Sequence, residues 1–441
     1  MHELAHEFTS RKISPWGGIK FFHGTYIRSG MKEVLHRLPL PSPGSNRGYH
    51  PVDLIEGFLC SVVLGSKRLA HTGMLRTDEV IKNIFGWSKG MADQSTFSRF
   101  FKKHSIELND NIFPELMKKF YKTIQLDRMT IDIDSTVITR YGEQENAKVG
   151  YNPQKRGRRS HHPILAFCDE LAMVVNAWMR TGDSVSTTDA TQFIDEIFSI
   201  IEPERIGLMR FDAGFFSQNI MEKLENQNKP VHYIIRSKMT SGVVAAIEQI
   251  KDWYANDDVT QKAQYGVVQY KANKWKVARK MIVVRVPKSE PSNTPVLFEE
   301  IAEYEKYEYK AFITNVAFSA SMVHSLYNKR ANAENRIKEL KYDYGIQGFS
   351  LMDFGAMEAA FRYVMLAFNI MQLFKMKVMQ TRKGTMLSTI RFQCIAIGSY
   401  VVKNGRKRIL KLGAQDKQKH FLEHFFSNVD VLKPPFQFSN A

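Results

Sequence analysis

The stretch MTIDIDSTVITRY, residues 129–141, decides how the rest of the chain is read. Apolar and polar residues alternate from Ile131 to Ser135, the period of a strand. Just downstream, HPILAF and AMVVNAW make two more strand candidates that turn at Asp169 and Glu170. TDATQFIDEIFSII opens on a capping candidate and carries a helical period. IGLMRFD then reads as a short buried strand, followed by a helix near Ser217–Asn226 and a strand at HYIIRS.

Three strands, a helix, a strand, a helix and a strand is the order of an RNase-H-like mixed β-sheet flanked by helices, an α/β fold. Residues 128–238 are therefore expected to hold the first part of this core. Residues 239–311 break the pattern: YGVVQYKANKWKVARKMIVVRV predicts a hairpin turning near Ala272 and Asn273, and the Pro- and Ser-rich PKSEPSNTP follows. YKAFITN reads as a further strand, so this segment is expected to be a β-rich insertion. Two long helices, roughly 317–343 and 353–377, complete the core over 312–380. Upstream, apolar stripes at three and four spacing in Val52–Val63 and Val80–Phe85 predict an N-terminal helical region over 1–127. In it, DQSTFSRFFKKH sets Phe97, Phe100 and Phe101 on one side and Arg99, Lys102 and Lys103 elsewhere. That pattern suits either DNA binding or a plain helical bundle with a solvated basic face. A basic region over 381–441, with Arg406–Arg408, ends the chain.

A formal net charge of +17, from 62 Lys and Arg against 45 Asp and Glu, favours a polyanionic partner, nucleic acid before others. Cys60, Cys168 and Cys394 are too far apart for a local zinc site or a disulfide framework and read as buried thiols in a reducing, cytoplasmic compartment. No apolar run follows the first basic residues, so no secretory signal is expected. Gly355–Met376 is the most membrane-like stretch, but Glu358, Arg362, Asn369, Gln372 and Lys375 interrupt it, and a buried helix fits better than a span. His161 and His162, adjacent on a strand, would face opposite ways and make a poor metal pair. No P-loop, Gly-rich dinucleotide motif or Ser-His-Asp arrangement stands out, which argues against nucleotide-driven or covalent chemistry.

The sharpest signal is SLYNKRANAENRIKELKYDYG, residues 325–345. On one continuous helix, Tyr327, Arg330, Glu334 and Lys341 fall within roughly 60° of one another, while Leu326, Ala333, Ile337, Leu340 and Tyr344 form a neighbouring apolar stripe. The plain alternative is a solvated helix with ion pairs such as Glu334 with Lys338. Asp134 on the first strand and Asp212 ending IGLMRFD add two carboxylates at strand ends. Such a carboxylate is unfavourable in a dry interior unless hydrated, paired or metal-bound. Two strands and a helix could thus bring together three acids of the kind that oxygen-seeking Mg²⁺ binds.

This helix resembles, residue for residue, the signature of a large group of DDE insertion-sequence transposases: Tyr, two residues, Arg, three, Glu, six, Lys. DIDST and RFDAGF resemble that group's two aspartate strands. GYNPQKRGRRSHHPILAF, TGDSVS, DQSTFSRF and NGRKRILKL resemble further segments of one of its bacterial branches, so that the likeness runs from about residue 50 to 410. The resemblance implies a catalytic, metal-binding triad of Asp134, Asp212 and Glu334 holding two Mg²⁺ or Mn²⁺ ions. It implies contacts to the DNA of the element's ends by Tyr327, Arg330 and Lys341, and aromatics of the insertion, here Trp253 or Trp275, against a base turned out of the duplex. It also implies a homodimer that pairs two inverted repeats, cuts and joins them to target DNA, often through a hairpin, in the bacterial cytoplasm and away from any membrane. DIDST leaves Asp132 and Asp134 both open as the first ligand, with the following Ser135 and Thr136 favouring Asp134. The basic run Lys155, Arg156, Arg158, Arg159 suits a phosphate-tracking loop as well as a solvated one. An RNase-H-like nuclease and an inactive DNA-binding descendant are the competing functions.

Overall fold

The strand that holds Asp132 and Asp134 lies in the interior of a mixed sheet that, among the described residues, has nine strands. The computed structural model describes residues 4–45, 47–255, 263–288, 306–381 and 384–439. Numbered along the chain, the strands of this sheet are β1 (Met129–Ser135), β2 (Ile164–Cys168), β3 (Met173–Trp178), β4 (Ile206–Phe211) and β5 (Tyr233–Arg236). After them come β6 (Tyr254–Ala255), β7 (Gln264–Tyr270), β8 (Arg279–Pro287) and β9 (Tyr307–Thr314). Their order is β6-β7-β8-β9-β5-β4-β1-β2-β3. β1, β4 and β5 run parallel; the remaining neighbours are antiparallel. The expected RNase-H-like mixed sheet is therefore present as β3-β2-β1-β4-β5.

β1 is covered on both sides, so its alternating pattern does not mark a solvated face. Ile131 and Ile133 enter the main core, and Asp132 on the other face is fully buried as well. The strands of the insertion are not a separate sheet. β9 pairs with β5, β8 with β9 and β7 with β8, so the insertion extends the central sheet at its β5 edge. The Pro- and Ser-rich run from Ser289 onward lies outside the described residues.

The stretch from 317 to 343 is not one helix. It divides into Ala320–Asn328 and Ala331–Tyr342, with Lys329 and Arg330 between them. The apolar stripe read across it divides too. Leu326 packs into a small core with Ile234, Val284 and Phe312, whereas Ala333, Ile337, Leu340 and Tyr344 belong to the main core. The interruption at Lys329–Arg330, a two-residue turn here called the bend, separates the helix that reaches the small core from the one that reaches the main core. The capping expectation at Ala190–Ile200 also fails: Asp189, the residue before the helix, is left-handed at φ 53° and makes no side-chain cap.

Phe354–Leu373 is buried along nearly its whole length. Several of its polar groups have partners: Arg362 reaches Glu196 at 2.6 Å, and the Asn369 side chain bonds both backbone groups of Val174. Just beyond its end, Lys375 meets Glu339 at 3.0 Å. No helix among the described residues is long and apolar enough to cross a membrane. Two helices, Ile19–Arg28 and Met31–Arg37, precede the apolar stripe of Val52–Val63 in the N-terminal region. The basic tail folds back onto this end of the chain: Ile13–Ser14 pairs with the hairpin strand Ser399–Asn404, and Phe21 meets Phe425 edge-on and Phe426 at a tilt, both on the helix Asp416–Val431.

Candidate active site

Parallel pairing sets the carboxyl ends of β1, β4 and β5 side by side. Ile133 of β1 and Ile235 of β5 are both in register with Phe211 of β4. The next residue along each strand is Asp134, Asp212 and Arg236, which puts two carboxylates and a guanidinium on three adjacent chain ends. Ends of parallel strands are where open α/β sheets leave a crevice. All three residues line one cavity of about 330 Å³.

The bend at Lys329–Arg330 supplies the other wall. Tyr327 comes from the last turn of one helix, Arg330 from the bend, and Glu334 from the first turn of the next helix; all three line the same cavity, as does Asn328. Arg330 forms an ion pair with the Asp134 carboxylate at 3.0 Å and donates to the Ile133 carbonyl at 3.2 Å, while its Nε is buried without a hydrogen-bond partner. Burial pushes the Asp134 carboxyl up to about 6, against the Arg330 guanidinium, and the like charges of Asp212 and Glu334 add to the rise. Asp212 accepts from the Gly214 backbone N–H at 2.9 Å, which shapes the turn after β4. Glu334 is exposed and, among the described residues, has no ion pair, so the alternative pairing with Lys338 is not formed.

Lys341, expected on this face, does not line the cavity. Its ammonium donates to the Val137 carbonyl at 3.2 Å, and burial lowers its pKa while the Asp134 charge raises it. Arg156, Arg158 and Arg159 lie exposed in a hairpin beyond the end of β1, apart from the cavity; Arg159 pairs with Glu143. Trp275 is buried against Phe216 and Tyr270, and Trp253 is half-buried beneath the Arg285 guanidinium at 4.1 Å. Trp275 is thus covered by its neighbours, while Trp253 carries a guanidinium over its ring.

Asp132 has a different setting from Asp134. Arg210 grips it with Nε at 2.6 Å and Nη2 at 2.8 Å, and the same Arg210 reaches Asp169 at 2.9 Å and the Leu326 carbonyl at 2.6 Å. Arg336 adds a 2.6 Å contact to Asp169. This closed group of charges ties the bend to the sheet, and no local sequence pattern announced it. Arg236 and Asn328 were likewise not read from the sequence; for Arg236 the signal was its place at the end of β5, level with Asp212 just past the parallel β4.

Carboxylate oxygens are the donors that hard divalent cations take, and the cavity offers three such side chains. Among the described residues no three His, Cys, Asp or Glu side chains are gathered closely enough to hold a metal ion, and Asp134 is engaged by Arg330. The donor chemistry fits a divalent cation, with Arg330 in the position of counter-ion.

Against known proteins, residues 2–434 match a family model described as transposase DDE domain, group 1. No curated protein matches the chain. Among solved structures, the chain is similar to a piggyBac transposase in a synaptic complex with hairpin DNA, at 9% identity and a TM-score of 0.43, over 96% of this chain and 83% of that one.

Proposed function

The chain belongs to the DDE transposase family, and from that premise we propose that it cuts and joins DNA at the cavity between the ends of β1 and β4 and the bend at Arg330. The observation that carries this reading is the meeting of Asp134, Asp212 and Glu334, from three separate segments, on one open cavity with Tyr327 and Arg330. In this reading the three carboxylates hold two divalent ions, Mg²⁺ or Mn²⁺. Such ions, when bound, activate a water or a DNA 3′-hydroxyl and stabilise the departing 3′-oxygen in an in-line displacement at phosphorus.

The protein's own groups supply position and charge. Arg330 and Arg236 flank the acids, where they neutralise a phosphate that would otherwise be repelled by three carboxylates. Tyr327 closes one wall; its ring packs on Phe312 at 4.6 Å between centroids, which leaves it little freedom beside the scissile group. Lys341 anchors the start of the loop after β1. Arg156, Arg158 and Arg159 follow the duplex backbone further from the cut, and the N-terminal helical region together with the basic tail provides further DNA contact. The substrate is the double-stranded DNA of an insertion sequence, with two inverted repeats paired by a homodimer, inside a bacterial cell.

The test is strand cleavage and joining on labelled DNA carrying the element's own ends, with Mg²⁺, for the parent and for Asp212→Asn and Glu334→Gln. The expected outcome is end-specific nicking and strand transfer in the parent. Both variants should lose at least about 10³-fold in rate, a typical loss when transition-state charge stabilisation is removed, while retaining DNA binding. DNA binding without metal-dependent chemistry in the parent would instead mark an inactive descendant, and cleavage without joining would mark a nuclease.

A further inference from the structure

Beyond β1 the chain forms a small three-stranded sheet from Ile138–Thr139, Lys148–Val149 and Arg159–His161. Its hairpin loop is unusually well held for a surface segment. Asn152 is buried, donates to Thr139 Oγ1 at 3.0 Å and accepts from the Lys155 backbone N–H at 3.0 Å. At the base of the hairpin a Cβ on Gly150 would lie 2.0 Å from the Gly182 carbonyl, and one on Gly182 would lie 2.0 Å from the Ser160 carbonyl. Three backbone segments therefore meet with no room for a side chain, which brings the turn TGDSVS against the hairpin and gives the loop a fixed base.

The small sheet presents two aromatic rings to solvent, Tyr151 on this loop and Tyr141 on the connection before it. Tyr141 is 71% exposed and Tyr151 69% exposed, and both precede a run in which Lys155, Arg156 and Arg158 are exposed cations. Lys155 bonds the Tyr141 hydroxyl and sits 5.0 Å from the centre of its ring. Residues 141–159 carry two acids, Glu143 and Glu145, and five cations, Lys148, Lys155, Arg156, Arg158 and Arg159, a local excess of three positive charges. One of those acids is taken by Arg159 and the other accepts from the Phe354 backbone N–H. Trp275 of the insertion, by contrast, is buried.

We propose that Tyr141 and Tyr151 form a stacking platform for unpaired bases of a DNA strand whose phosphates are held by Lys155, Arg156 and Arg158. Flat aromatic faces interleaved with cations are what a single strand recognises: each base has a face to stack, and each phosphate a charge to neutralise. A base inside a duplex is already stacked on both sides, so the tyrosines add little to duplex binding. The hairpin leaves the sheet at the same end of β1 as Asp134, and Thr136 is tied to it through the Pro163 carbonyl at 3.0 Å. This deepens the proposed strand-cutting role, since cutting at that end exposes unpaired nucleotides, yet the binding site itself can be tested without any chemistry.

The probe is a fluorescent single strand of thymidylates, about one OB-fold-sized site long at roughly 16 nucleotides, compared with a duplex of mixed sequence at the same salt. For the whole protein, Tyr141→Ala and Tyr151→Ala should each weaken single-strand binding by roughly 5- to 100-fold, the range for one lost base–aromatic stack. Duplex binding should change less than about twofold, because backbone charge dominates it, and Tyr→Phe at both positions should restore single-strand binding. Equal losses on both probes would overturn the platform in favour of charge alone, and no loss on either would leave the tyrosines without a role in nucleic-acid binding. A parent that binds the single strand but never cuts its own ends would sink the proposed activity and leave the platform standing.

Discussion

Asp132 and Asp134 stand two residues apart on the same face of one strand, yet one is sealed and the other is open. Asp132 is fully buried and held by two bonds from Arg210, inside a group completed by Asp169 and Arg336. Asp134 meets a single guanidinium, that of Arg330, at the wall of a cavity shared with two more carboxylates. The difference teaches how a sheet can keep several acids in its interior. Where opposite charges are matched, the group serves as a tie; where acids outnumber the cations in reach, the excess negative charge is what a bound cation can meet.

The largest effect expected from this contrast is on the sealed side. Arg210→Met leaves Asp132 without its main counter-charge and the Leu326 carbonyl without its donor. It should destabilise the fold by about 3–5 kcal/mol, as removal of one partner from a buried ion pair does. Chemical denaturation of parent and variant would show it. A loss below about 1 kcal/mol, the value of an ordinary hydrogen bond, would mean that the network is no tie.

A second sealed group sharpens the comparison through pH. Burial pushes the Glu358 carboxyl up to about 7, with Arg362 and Asn109 opposing and Asp110 and Glu196 adding to the rise. The folded protein therefore holds this proton up to about pH 7, whereas the unfolded chain releases it near the ordinary 4.5. The stabilisation is fully present below the unfolded pKa and drains away as pH rises through the folded one. Between pH 5 and pH 8 the parent should lose roughly 2–3 kcal/mol more stability than Glu358→Gln, at about 1.4 kcal/mol per pKa unit. Parallel denaturation curves for the two proteins across that interval would remove Glu358 from the account.

The smallest stability effect belongs to the open side. Glu334 is exposed and unpaired, so Glu334→Gln should shift stability by no more than about 0.5 kcal/mol, as surface substitutions do. Paired with the loss of strand cleavage expected of the same variant, that result separates a residue kept for chemistry from one kept for folding. A thermal shift equal to that of Arg210→Met would erase the distinction between the two aspartates.

Local periodicity was enough to read the five central-sheet strands from Met129 to Arg236, the helices between them and the buried character of Phe354–Leu373, because alternation and three-to-four spacing are properties of neighbouring residues. The three short strands of the small sheet carry no such period and were not read. The same reasoning picked out the residues that line the cavity from the helical stretch, though not the shape that brings them there. One continuous helix was expected from 317 to 343, and the chain bends at Lys329–Arg330. The bend arises because Leu326 and Ala333 pack into different cores and the Leu326 carbonyl is held by Arg210, a residue more than a hundred positions away. With the bend, Lys341 turns toward Val137 and leaves the cavity to Tyr327, Arg330 and Glu334.

What the sequence by itself determined is the set of elements, the family's signature residues and a positive charge suited to a polyanion, since each is written in residue type and spacing. Only the tertiary structure decided which of two equivalent aspartates is open, that Arg236 stands level with Asp212, and that the insertion prolongs the central sheet. Those outcomes depend on register between strands and on which distant charges find one another. Contacts of that kind are selected by the packing of the whole chain, and no window of neighbouring residues contains them.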